Sequence, residues 1–141
     1  MFNIKNEYYF EDFKEVKFLE LREKLTKDEL EEGLTPISEI FRVCITQHAY
    51  YRMYGEWDRY CEYDWVENLF IEKSTEIINC PNNEEAILIS NDKKIAIVFQ
   101  ITRIQGELSI VIISVIRNVI MGDNGERELD NRSNTKGKIV I

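Results

Sequence analysis

Apolar residues follow two rhythms along the 141 residues of the chain. Near the start, Phe10, Phe13, Lys17 (through its stem), Leu21 and Leu25 recur at three- and four-residue steps. That spacing predicts a helix over 10–25. Glu11, Asp12 and Glu15 crowd its first turns, where the helix dipole favours negative charge. Thr26 followed by Glu29 has the spacing of a capping box, so a second short helix should begin there and end near Gly33, ahead of the Thr35-Pro36 breaker. Residues 41–46 alternate and are rich in β-formers, which predicts a strand. Helices are expected over 49–60 and 62–73, the second with Trp65, Val66, Leu69 and Phe70 on one side. After a loop at 79–83, three strands are expected over 85–90, 94–103 and 107–118. Their connections at 91–93 and 104–106 are short, so the strands should form an antiparallel meander, with the apolar stretch 108–116 in mid-sheet. Residues 138–141 could add an edge strand.

Segregated helices and strands of this kind imply an α+β fold, with helices packed on a small antiparallel β-meander sheet. The pattern divides the chain into an acidic helical N-terminal extension (1–40), an α+β core (41–120) and a polar tail (121–141).

Charge narrows the partners. The formal net charge is -8, which works against indiscriminate binding to polyanionic nucleic acid but leaves room for a local basic cleft. Residues 1–40 hold 11 acids against 6 bases and are the most acidic part of the chain. No stretch reaches the ~20 apolar residues a spanning helix needs, so no membrane partner is expected. Three cysteines, Cys44, Cys61 and Cys80, make an odd and widely spaced set. That argues against a disulfide framework and for a reducing, cytoplasmic setting.

Candidate chemistry centres on the single histidine. His48 stands where a strand gives way to a helix, with Arg52 four residues on and Arg59 seven further. Residues four apart share a helix face, here near its positive end. One titratable imidazole and two fixed cations could then address one anion. Metal-independent RNA cleavage needs such parts: a base for the 2′-hydroxyl, an acid for the leaving oxygen, and cations for the phosphoryl charge. Arg103, Ser114 and Arg117, at or near strand ends, could add donors, and Tyr51 could stack on a base. The same residues also fit a plain structural role, with His48 as a junction residue and Arg52 paired to Glu56 or Asp58.

The run Thr46, Gln47, His48, Ala49, Tyr50, Tyr51, Arg52, Met53, followed by a helix and a three-stranded meander, resembles a small bacterial and phage family of uncharacterised domains. Its signature is a strand, then His-Ala-x-x-Arg opening a helix, a second helix and the meander. That family is similar in fold to the barnase, colicin and RelE-type ribonuclease toxins. The likeness spans residues 41 to about 118 and implies a toxin-like ribonuclease acting on RNA, with a cognate antitoxin as protein partner. It places His48 and Arg52 at the active positions, and Ser114 where a Thr or Ser ends the last core strand. The stretch from Asp58 to Tyr63 departs from the family's Arg-Gly-Ile turn.

Other chemistry finds less support. Cys44, His48, Cys61 and Cys80 lack the close Cys pairs of structural zinc sites, so no metal and no cofactor is expected. A Cys44–His48 nucleophile pair would have to reach across a strand-to-helix bend. Tyr8, Tyr9, Tyr50, Tyr51, Tyr54, Trp57, Tyr60, Tyr63 and Trp65 form an aromatic band suited to base stacking, to a protein interface, or to packing. The alternative function is non-enzymatic: an acidic interaction protein, such as an inhibitor or anti-defence factor of a phage or mobile element, that binds a basic partner.

Overall fold

A computed structural model describes residues 7–8, 17–55, 60–92, 94–117 and 139–140. The chain is α+β. Its elements run β1 (Glu7–Tyr8), β2 (Phe18–Arg22), α1 (Lys27–Glu31), β3 (Ser38–Thr46), α2 (Gln47–Tyr54), α3 (Tyr63–Glu72), α4 (Ser74–Ile78), β4 (Glu85–Ile89), β5 (Ile95–Ile104), β6 (Glu107–Arg117) and β7 (Ile139–Val140).

The described strands make one sheet of seven in the order β1-β3-β6-β5-β4-β7, with β2 also on β3. The expected meander is present: β4 pairs with β5 and β5 with β6, both antiparallel. Two parallel pairings extend it, β3 with β6 and β7 with β4. The apolar strand β6 lies between β3 and β5, as its continuous hydrophobicity requires.

The front of the chain differs from the expected helix over 10–25. Residues 10–16 lie outside the described part, and 18–22 are strand β2, antiparallel to β3. Leu19 and Leu21 point into the core while Phe18, Glu20 and Arg22 face out. The spacing misled because a four-residue step returns to the same side in a strand as well as nearly so in a helix. Lys17, Leu21 and Leu25 fit both periods. The boundary at residue 40 therefore falls inside β3, and the extension contributes β1 and β2 to the sheet. The second short helix is as expected. In α1 the Thr26 hydroxyl accepts from the Glu29 amide at 3.2 Å and the Glu29 carboxylate from the Thr26 amide at 2.9 Å. Its end is a Schellman turn: Leu34 N–H donates to the Glu29 carbonyl and Gly33 N–H to Leu30, with Gly33 at φ 85°.

The helices α2, α3 and α4 cover one face of the sheet. Ala49 and Met53, Val66 and Phe70, and Ile77 pack there on Phe41, Val43, Ile45, Phe99, Ile110 and Ile112. The Phe70 and Phe99 rings meet edge to face at 5.1 Å. The second face carries a smaller cluster of Ile87, Ala96, Val98 and Ile116. The expected helix over 49–60 stops earlier, at a Gly55 cap, and α4 is an element the polar sequence at 74–76 concealed. The polar stretch 122–137 lies outside the described residues.

Candidate functional site

The junction between β3 and α2 is built on one hydroxyl. Thr46 Oγ1 accepts from the Ala49 amide at 3.1 Å, capping α2. It also donates to the Ile113 carbonyl at 3.0 Å. Ile113 is the extra residue of a bulge in β6: Val98 pairs with Ser114 while Phe99 pairs with Ile112. The first turn of α2 is thus pinned to the place where β6 breaks register.

From that anchor, 100° per residue sorts the side chains of α2. Ala49 and Met53 turn into the core. His48 and Arg52 share one flank, His48 exposed and Arg52 half-buried, each engaged by neighbours. Tyr50 and Tyr54 share the opposite flank, and Gln47 and Tyr51 point outward.

The Tyr50 flank opens a row of aromatic rings. Tyr50 and Tyr54 stand 5.0 Å apart with planes tilted by 51°. Tyr54 meets Tyr60 at 6.1 Å, and Tyr60 meets Trp65 at 6.0 Å, both edge to face. The Arg117 guanidinium lies over Trp65 at 5.1 Å and donates to the Tyr60 carbonyl at 2.6 Å. The Tyr54 hydroxyl accepts from the Tyr63 amide at 3.0 Å, fastening α2 to α3. Tyr51, Tyr60 and Trp65 remain 57%, 39% and 40% exposed. A hollow of about 280 Å³ opens on this side, lined by Gln47, Tyr50, Tyr51, Tyr54 and Gly55.

The surroundings are acidic. Glu62 lies close enough to Tyr54, and Glu67 and Asp64 close enough to Tyr63, to add to the raising that burial gives those hydroxyls. Burial pushes the Cys61 thiol up to about 12 despite the nearby Arg117. Burial likewise raises Tyr54, Tyr63 and Cys80. All four stay protonated at neutral pH, so none is a ready base or nucleophile.

The residues singled out from the sequence part company. His48 and Arg52 are together on one flank of α2; Tyr51 lines the hollow; Arg117 closes the aromatic row. Arg103 is elsewhere. It sits near the β5–β6 turn, opposite Leu108, roughly 13 Å along the sheet from the α2 junction by strand rise. There it donates to the carbonyls of Ile78 (3.0 Å) and Cys80 (3.4 Å), to Asn82 Oδ1 (2.6 Å) and to Glu39 Oε1 (3.1 Å). Its guanidinium also covers Phe41 at 5.8 Å. Ser114 is fully buried on the second face opposite Val98, its hydroxyl unpartnered. Arg59 lies outside the described residues. Gln47 and Gly55 also line the hollow; Gln47, Tyr50, Tyr51 and Tyr54 have the spacing of one helix face.

Among the described residues no three His, Cys, Asp or Glu side chains are grouped to hold a metal ion, and no helix is long and apolar enough to cross a membrane. Compared with protein-family models, curated proteins and solved structures, the chain matches none of them. The likeness to the ribonuclease-toxin families therefore rests on the His-Ala-x-x-Arg motif and the order of elements alone.

Proposed function

We propose that this chain is a non-enzymatic interaction protein that engages a basic protein partner through the outer face of α2 and α3. The observation that carries this reading is the aromatic row Tyr50, Tyr54, Tyr60 and Trp65, exposed at Tyr60 and Trp65, beside a hollow that the exposed Tyr51 lines, with Glu62 near Tyr54. Exposed aromatic anchors ringed by charge are what binding surfaces concentrate. Net charge of -8 would draw a cationic partner and repel nucleic acid. Two of the cations a nuclease would gather are engaged by the fold: Arg103 by four acceptors near the β5–β6 turn, Arg117 by Trp65 and Tyr60.

A second reading keeps the ribonuclease-toxin-like function. What favours it is His48, exposed beside Arg52 at the start of α2, where an imidazole could exchange a proton and a guanidinium could hold a phosphate.

Fluorescence anisotropy with a labelled basic peptide and a labelled single-stranded RNA separates the two. The interaction reading expects peptide binding that weakens as salt rises, with RNA neither bound nor cut. RNA cleavage that disappears in His48→Ala, with the fold intact, would overturn it in favour of the second reading.

A further inference from the structure

The hollow on α2 has the chemistry of a receptor for one particular side chain. Tyr50, Tyr51 and Tyr54 supply three of its five lining residues. The Tyr50 and Tyr54 rings, 5.0 Å apart and tilted by 51°, form a corner rather than a flat stack. Tyr51 completes the outer wall and is 57% exposed. Gly55 sets where that wall stands. A Cβ at position 55 would come within 2.6 and 2.8 Å of Tyr51 Cδ2 and Cε2 and 2.8 Å of the Tyr51 carbonyl oxygen. The ring thus lies against the helix end in space that only a glycine leaves open. Gly55 has φ -91°, so no left-handed backbone demands a glycine here; the close approach of the ring does.

Aromatic faces attract organic cations through the ring quadrupole. Guanidinium suits such a wall better than ammonium, since it is planar, weakly hydrated and stacks on rings. Gln47 offers an amide oxygen on the same rim, an acceptor for a guanidinium N–H. Glu62, close enough to Tyr54 to act on its hydroxyl, sets a negative charge beside the hollow, and the chain as a whole carries a net charge of -8. Resting on the interaction reading above, we propose that this tyrosine hollow is an arginine-binding site, receiving one guanidinium of the basic partner against Tyr50, Tyr51 and Tyr54.

The test is a titration of the full chain, followed by NMR of the tyrosine rings, with two short peptides identical except that one carries arginine and the other citrulline. Citrulline keeps the shape and removes the charge. The arginine peptide should shift the Tyr50, Tyr51 and Tyr54 resonances. The citrulline peptide should bind roughly ten-fold more weakly, and Tyr51→Leu should cost the arginine peptide roughly three- to ten-fold. Tyr51→Phe, which keeps the ring face, should bind nearly as wild type. Gly55→Ala should weaken binding by displacing Tyr51 without removing any ring. Tyr51 is exposed, so its variants should melt as wild type, and a thermal melt checks this. Arginine-peptide binding unchanged by both Tyr51→Leu and Gly55→Ala would overturn the arginine site while leaving the acidic interaction face standing. Absence of binding by the arginine peptide would overturn both.

Discussion

At the scale of single residues, five side chains carry consequences that can be measured. Thr46 holds the α2 junction with one hydroxyl in two hydrogen bonds, one to the helix and one to the bulge carbonyl. Thr46→Val keeps the shape and loses both. It should destabilise the chain by about 1–2 kcal/mol in a urea titration. Ser114 poses the opposite case, a buried hydroxyl with no partner. Ser114→Ala removes a desolvated polar group at little loss of packing, so stability should rise by about 1 kcal/mol; a fall would mean the hydroxyl is satisfied in solution. Cys61 sets an alkaline limit. Its thiol is raised from 9.0 to about 12 in the folded chain, so between those values the unfolded chain releases a proton that the folded chain retains. Stability should therefore fall as pH rises above about 9. Cys61→Ala should flatten that fall when melting temperature is followed from neutral to alkaline pH. On the acid side, Glu29 and Asp92 are lowered by hydrogen bonds to Thr26 and to Ser90, respectively. Their contribution is present at neutral pH and lost as pH falls through their folded values.

At the scale of elements, what was legible in the sequence is what local rules determine. The capping box of α1, the α3 stripe and the three meander strands each follow from side-chain spacing over a few residues. The expected strand at 41–46 was found, lengthened at its start to Ser38. What was not legible depends on distant partners. The spacing at 17, 21 and 25 satisfies helix and strand alike, and only pairing with β3 decides for β2. The parallel join of β3 to β6 needs the whole helical layer between them as its crossover. Leu21, fully buried on β2, puts a number on this. Leu21→Ala should cost about 2–4 kcal/mol by denaturant unfolding, whereas a leucine on an appended helical arm would cost far less. Arg103 is an element-scale residue too. It ties the start of β3, the end of α4 and the loop at Asn82 to β5. Its loss should lower stability and leave peptide binding unchanged.

At the scale of the whole molecule, the functional proposal turns on how the site residues are separated. Helical spacing puts His48 and Arg52 on one flank of α2, and the aromatic band is visible in the sequence as a cluster of Tyr and Trp. Which cations join which cluster is set by the sheet. The strand-borne arginines look equivalent in sequence, each at a strand end. Yet Arg103 is drawn to the carbonyls at the end of α4, and Arg117 to Trp65. Ser114 was expected beside the site, but the pairing opposite Val98 turns it to the other face. The proposed interaction reading expects this aromatic side to take a cationic protein in preference to RNA, in keeping with the net charge of -8.

The most direct measurement of that claim is an amide and side-chain NMR map of the full chain titrated with an arginine-rich peptide. The account predicts shifts concentrated on Tyr51, Tyr60, Trp65 and the adjoining residues of α2 and α3, growing at low salt and fading at high salt. Shifts absent from that face, with RNA instead perturbing His48 and Arg52, would contradict it.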